Sequence, residues 1–329
     1  MYILRHLLLM LGGVTLFLLG LKYMSENMEN LAGQKMQKVI KTFTKNSLFS
    51  VFTGASATAV LQSSVATNVI VTSFTSSKIL SLKSACAVIM GANIGTTITA
   101  QLVALSGSNS FDITAIGSLI LFLGFIISFS KNIKLKLIGG VMAGFGMLFL
   151  GLDIISDSVE YFKIFQEFRN IFLVENKLLL FLNGIIITAI IQSSSAVTSV
   201  MIILAGFEIL TFESSMFLIL GSNVGSCFAV IISSLSKNED GRRAGVFNLV
   251  FNLLGSLIFI IPLSLYSAEI SRMFISFSKT PERAIANFHT IFNVIVTMLI
   301  LPILTPLIKL ISLIISDRPL KLQKTTQYV

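Results

Sequence analysis

Nine stretches of this 329-residue chain carry no Asp, Glu, Lys or Arg: residues 6–21, 46–77, 84–111, 113–130, 137–152, 178–207, 214–236, 244–268 and 284–308. Most reach the roughly 17 to 25 residues that a helix needs to cross hydrocarbon. Backbone groups in lipid must bond internally, which leaves helices or a closed barrel. None of the stretches alternates apolar and polar residues with period two, as barrel strands do, so the pattern predicts helices. A charged fraction of 12%, against ~25% for a soluble domain, agrees with the lipid bilayer as the solvent.

The net charge of +9 does not point to nucleic acid, because the basic residues crowd the segments between spans, as the positive-inside bias requires. Cys86 and Cys227 fall inside charge-free stretches and read as small packing residues. His6 and His289 are too few and too far apart to hold a transition metal. Arg5 ahead of an apolar run to Leu21 imitates a signal peptide, but no small-residue cleavage site follows.

The chain repeats itself. A shift of 130 (192 minus 62) lays Gly54, Thr58, Ala59, Gln62, Ser63, Ser64 and Ala66 on Gly184, Thr188, Ala189, Gln192, Ser193, Ser194 and Ala196. The same shift carries Gly91, Asn93 and Gly95 of "GANIGTT" onto Gly221, Asn223 and Gly225 of "GSNVGSC". One residue more aligns "LGLKYMSE" from Leu19 with "LGLDIISD" from Leu150, which places the first apolar run inside the repeat and argues against its cleavage.

Loop charges give each copy a direction. The segments 22–45, with Lys22, Lys35, Lys38, Lys41 and Lys45, and 78–83, with Lys78 and Lys83, read as two cytoplasmic loops around the first glutamine motif. A full crossing would put one of them on the wrong side, so residues 46–77 are expected to form a re-entrant hairpin; two full spans are the alternative. The second motif, 178–207, is flanked by net acidic segments, with Asp153, Asp157, Glu160, Glu167, Glu175, Glu208 and Glu213, and its hairpin is expected to open outside. Lys131 to Lys136, Lys237 to Arg243, and a tail with Lys321 and Lys324 are expected inside.

The expected fold is therefore an all-α polytopic membrane protein of two inverted-topology repeats, each with a re-entrant helical hairpin plus transmembrane helices. The expected divisions are 1–132, 133–268, and a C-terminal helix and tail over 269–329. Inverted repeats with broken helices meeting at the bilayer midplane are how many secondary transporters build a substrate site.

A hairpin tip at membrane depth has backbone groups that no helix satisfies, so it must be buried in protein or line a wet cavity. The tip serines offer hydroxyls, and Gln62 and Gln192 offer amide donors and carbonyl acceptors. A half-helix starting after the motif would aim free N–H groups at an anion. Neutral oxygens suit a hard cation such as Na+. With no Lys or Arg in either hairpin, the anion's charge must be offset by co-bound cations, which implies obligatory coupling. Near the C-terminus "RAGVFNLVFN" and "RAIANFHTIFN" place Asn248 with Asn252, and His289 with Asn293, four apart on one helix face, as polar glue between helices or as supporting residues of the site.

At these residues the chain resembles the type II sodium/phosphate cotransporter family, whose hallmark is a duplicated QSSS hairpin followed by a GANIGT-like segment. Here the elements read "QSSV" at Gln62, "QSSS" at Gln192, "GANIGTT" and "GSNVGSC". The resemblance implies a transporter and not an enzyme: uptake of inorganic phosphate with Na+ by alternating access, with Na+ as co-transported ion and no cofactor. It implies a multi-pass plasma membrane protein with a cytoplasmic C-terminus, and leaves room for a homodimer. Carried over by position, Gln62, Ser63, Ser64, Gln192, Ser193, Ser194 and Ser195 would contact phosphate and Na+. Asn93, Thr96, Thr97, Asn223 and Ser226 would line the same site, with Thr58, Thr188, Asn252, His289 and Asn293 in support. Val65 replaces the last hydroxyl of the first motif, and Cys227 stands where the first repeat has Thr97. Many bacterial members add a helical regulatory domain after the membrane part, for which a chain ending at Val329 is expected to have no room.

Three rivals remain at this point. A carrier of sulfate or a small carboxylate would use the same oxyanion groups. A channel would need a carbonyl filter or rings of charge. An intramembrane serine hydrolase would need a base within reach of a motif serine, and His289 is the one deep candidate.

Overall fold

The computed structural model describes residues 2–106, 113–165 and 176–315. These are helical, with no strand among the described residues. In chain order they form α1 (Tyr2–Phe43), α2 (Ser47–Leu61), α3 (Ser64–Ser76), α4 (Leu82–Ser106), α5 (Ile113–Ser128) and α6 (Ile133–Phe162). There follow α7 (Lys177–Ile191), α8 (Ser194–Gly206), α9 (Phe212–Gly225), α10 (Cys227–Ser234), α11 (Glu239–Ser278), α12 (Pro281–Ile300) and α13 (Leu304–Ile314). Among the described residues, six helical segments are long and apolar enough to cross a membrane.

The two glutamine motifs each divide a helical pair. At 15 and 13 residues, α2 and α3 reach only about 20 Å each at 1.5 Å per residue, short of the ~30 Å hydrocarbon core. Thr58 Oγ1 donates to Thr67 Oγ1 at 3.0 Å across the first tip, a contact that a continuous helix could not make over nine residues. The pair α7 and α8 has the same lengths.

Small residues let these hairpins press against the following helix, as they do wherever membrane helices pack closely. A Cβ on Gly54 would overlap the Val88 carbonyl, and one on Gly91 the Val51 carbonyl. The second copy repeats the arrangement, with Gly184 against Leu218 and Gly221 against Phe181. The glycines of the GANIG-like motifs are thus packing positions between α2 and α4 and between α7 and α9.

Polar contacts sort the helix ends into two faces. On one, Ser84 Oγ donates to Thr44 O at 2.9 Å, Lys78 pairs with Asp240, and Asn238 N donates to Ser76 Oγ at 3.1 Å. On the other, Lys177 Nζ donates to Ser264 O at 2.8 Å, Lys163 lies 5.4 Å from the centroid of the Phe207 ring, and Gly206 abuts Glu282. Helix α11 joins the two, and from Asp240 to Ser264 it rises about 36 Å, close to a bilayer's thickness. The first hairpin starts and ends on the face with Asp240, the second on the face with Ser264. This is consistent with inverted repeats.

Residues 22–43, read from their charge as a loop, instead continue α1. Lys, Glu, Gln and Met are strong helix formers, and charge alone does not mark where a helix stops. Lys237 is likewise a connector rather than a free loop residue. It donates to Val69 O at 3.1 Å, Thr72 Oγ1 at 2.6 Å and Ser73 Oγ at 2.9 Å, and burial holds its ammonium below the usual lysine value. The boundary expected at 268 falls inside α11, just past its kink at Tyr266 (φ −128°, ψ 31°), four residues after Pro262. Glu167, Glu175 and the tail with Lys321 and Lys324 lie outside the described residues.

Candidate functional site

Each tip is built by one glutamine and one serine with opposite tasks. Gln62 ends α2 in the left-handed conformation (φ 54°, ψ 24°), its N–H donating to Thr58 O at 2.7 Å. Ser63 is extended, and its Oγ caps α3 by accepting from Ala66 N at 3.1 Å. Gln192 (φ 60°, ψ 20°) and Ser193, which accepts from Ala196 N at 3.3 Å, do the same for α7 and α8. A left-handed residue with a side chain costs roughly 1–2 kcal/mol where glycine would not. The same conformation recurs in both copies at the hairpin exits, Lys78 (φ 58°) and Glu208 (φ 59°), so it belongs to the shared backbone plan of the hairpins.

The two tips meet. A cavity of about 670 Å3 is lined by Gln62, Ser63, Ser64, Val65 and Ala66 from one tip and by Gln192, Ser193, Ser194 and Ser195 from the other. Thr96 and Ser226 join them from the helices that follow. The N-termini of α3 and α8 both open here, and such ends carry free N–H groups and the positive end of the helix dipole. The walls extend along Val69 and Ile70 of α3 and Glu29 of α1, toward the face that holds Asp240.

The remaining expected residues lie outside this lining. Asn93 Nδ2 donates to Ile89 O at 2.9 Å and Thr97 Oγ1 to Ile94 O at 2.8 Å, each turned back on its own helix. Asn223 Oδ1 lies 3.2 Å from His289 Nε2 inside the protein. Asn252 Nδ2 donates to Asn248 O at 2.9 Å, and Asn293 Nδ2 to His289 O at 2.8 Å. The buried Thr188 Oγ1 donates to Ser222 Oγ at 2.8 Å.

Sequence reasoning missed two groups. Lys22, Ser25, Glu26 and Glu29 of α1 line the cavity; their i, i+3, i+4, i+7 spacing was legible, but the segment read as a loop. Asn68 and Thr198, again 130 apart, each keep a buried side-chain oxygen without a hydrogen-bond partner.

A family model described as Na+/Pi-cotransporter matches residues 16–157 and 165–299. A Bacillus subtilis protein named "Uncharacterized protein YqeW" is 26% identical over 304 residues, covering 92% of this chain and 96% of that one. The Escherichia coli "Putative inorganic phosphate export protein YjbB" is 26% identical over 316 residues, 95% of this chain but 56% of its own length. The human "Sodium-dependent phosphate transport protein 2B" is 35% identical over 137 residues, 39% of this chain and 17% of its own. No solved structure matches at a significant level.

Proposed function

The chain belongs to the Na+/Pi-cotransporter family, and from that premise we propose that it is a secondary active transporter that imports inorganic phosphate coupled to Na+. It is an integral membrane protein, and the positive-inside bias assigns the face with Lys78 and Asp240 to the cytoplasm. The observation that carries this reading is the meeting of both hairpin tips in one cavity. Two helix N-termini and a set of serine hydroxyls converge there, the groups that bind an oxyanion without fixed charge. The walls extend toward the Asp240 face, so in this reading the cavity faces the cytoplasm, and alternating access requires a second state open to the other face.

Na+ coupling has separate support. Among the described residues, the charged ones lining the cavity are Lys22, Glu26 and Glu29, one positive and two negative, a balance that favours a cation with the phosphate. The unpartnered oxygens of Asn68 and Thr198 are neutral ligands of the kind hard cations take. The name of the E. coli relative favours a second reading, export, in which phosphate leaves through the same cavity. Labelled phosphate flux in proteoliposomes of known orientation decides between them. Import predicts uptake driven by an inward Na+ gradient and competed by arsenate more than by sulfate or succinate. Uptake indifferent to Na+ would contradict the coupling.

A further inference from the structure

The hairpins carry no charge, yet the cavity contains a cation from a different element. Ser25 Oγ donates to Leu61 O at 3.1 Å, which sets this turn of α1 level with the first tip. Gly13, Gly20 and Met24 press on α6 at Gly151, Leu148 and Gly144, and this turns the stripe of Leu18, Lys22, Ser25 and Glu29 away from α6 and toward the tips. Among the described residues lining the cavity, Lys22 is the one cation. An ionisable group at this depth is expensive and marks a transport pathway by default.

We infer that Lys22 is a phosphate-binding residue and that Glu26 is its stand-in partner: the ammonium pairs with Glu26 when the cavity is empty and with phosphate when it is loaded. This rests on the reading of the cavity as the phosphate site. The geometry suits an exchange. Lys22 Nζ lies 3.8 Å from Glu26 Oε1, with the side chains 70% and 57% exposed, longer than the roughly 2.7–2.9 Å of a charge-assisted hydrogen bond. A loose pair in a wet cavity holds weakly, and a flexible lysine can swing to a better acceptor. The repeat shows that the cation is a departure from symmetry. At a shift of 131, Lys22 corresponds to Asp153, whose Oδ1 instead accepts from Thr114 Oγ1 at 2.8 Å. One half alone supplies a cation, which suits one anion shared by two tips.

The test is equilibrium binding of 32P-labelled inorganic phosphate to the purified full-length protein at saturating Na+, with thermal unfolding measured alongside. Lys22→Gln should weaken binding about tenfold, and Lys22→Arg should restore it to within about threefold, since arginine keeps the positive charge that adds to the neutral donors of the tips. Glu26→Gln should do the opposite and tighten phosphate severalfold, because it releases the ammonium. The opposite signs distinguish this account from a structural ion pair, for which both neutral variants would weaken binding or change nothing; either result overturns the inference. If Lys22→Gln does not fold, the sign for Glu26→Gln still decides. Wild-type protein that binds no phosphate would overturn the cavity reading itself, a failure separate from that of Lys22.

Discussion

The two hairpins share a backbone and differ in how their polar side chains are held. Gln62 is anchored: its Nε2 donates to Ala59 O at 2.6 Å and its Oε1 accepts from Thr99 Oγ1 at 2.9 Å. The position equivalent to Thr99 is Ala229, and Gln192 stands exposed. The threonines below the tips show the same division. Thr58 donates across its tip to Thr67, whereas Thr188 donates to Ser222 in the following helix. The reason is local, because Val197 stands where Thr67 would be and Ala92 where Ser222 would be. Ser195 has its hydroxyl 3.1 Å from Ser193 Oγ, and Val65 opposite it has none. Duplication thus preserved the hairpin and let each tip find its own partners: the Gln62 amide is held by two hydrogen bonds, whereas the Gln192 side chain is exposed.

The largest effect should come from what the two halves share. Gly54→Val or Gly184→Val drives a side chain into a neighbouring carbonyl, which should cost about 3 kcal/mol or more and remove folded protein in detergent size-exclusion runs. Equal loss in both supports equivalent packing; tolerance in one would break the comparison.

Gln62→Ala and Gln192→Ala come next. Each should reduce phosphate uptake about a hundredfold through lost positioning, with normal membrane insertion. Only Gln62→Ala should also lower the unfolding temperature, because only that amide bonds to a neighbouring helix. The smallest effect tests the anchor alone: Thr99→Val should cost about 1 kcal/mol and raise the phosphate half-saturation about fivefold. Ala229→Thr should supply Gln192 with the missing partner and rigidify the second tip, seen as slower exchange of the amides around Ser193.

Much of this was legible in the sequence because it rests on spacing. The shift of 130 located both tips, and the basic segments on both sides of the first motif pointed to a re-entrant hairpin rather than a full crossing. Gln62 and Gln192 as helix breakers were less legible, since glutamine is an ordinary helix former and its left-handed backbone is imposed by the surrounding packing. Asn93, Asn223 and Thr97 sit in the motif yet turn away from the cavity, because their rotation about α4 and α9 is set by the glycines beside them. Lys22 and Glu26 were hidden by the opposite error. Their charges suggested a loop, and only the packing of Gly20 against α6 places them in the cavity.

The claim that both tips form one site is tested most directly by protection. With Cys86 and Cys227 replaced by Ala, Ser63→Cys and Ser193→Cys are labelled separately with a small thiol reagent in membrane vesicles. If the tips share one ligand, phosphate with Na+ should slow labelling at both positions, and sulfate with Na+ at neither. Protection of one position and not the other would contradict it.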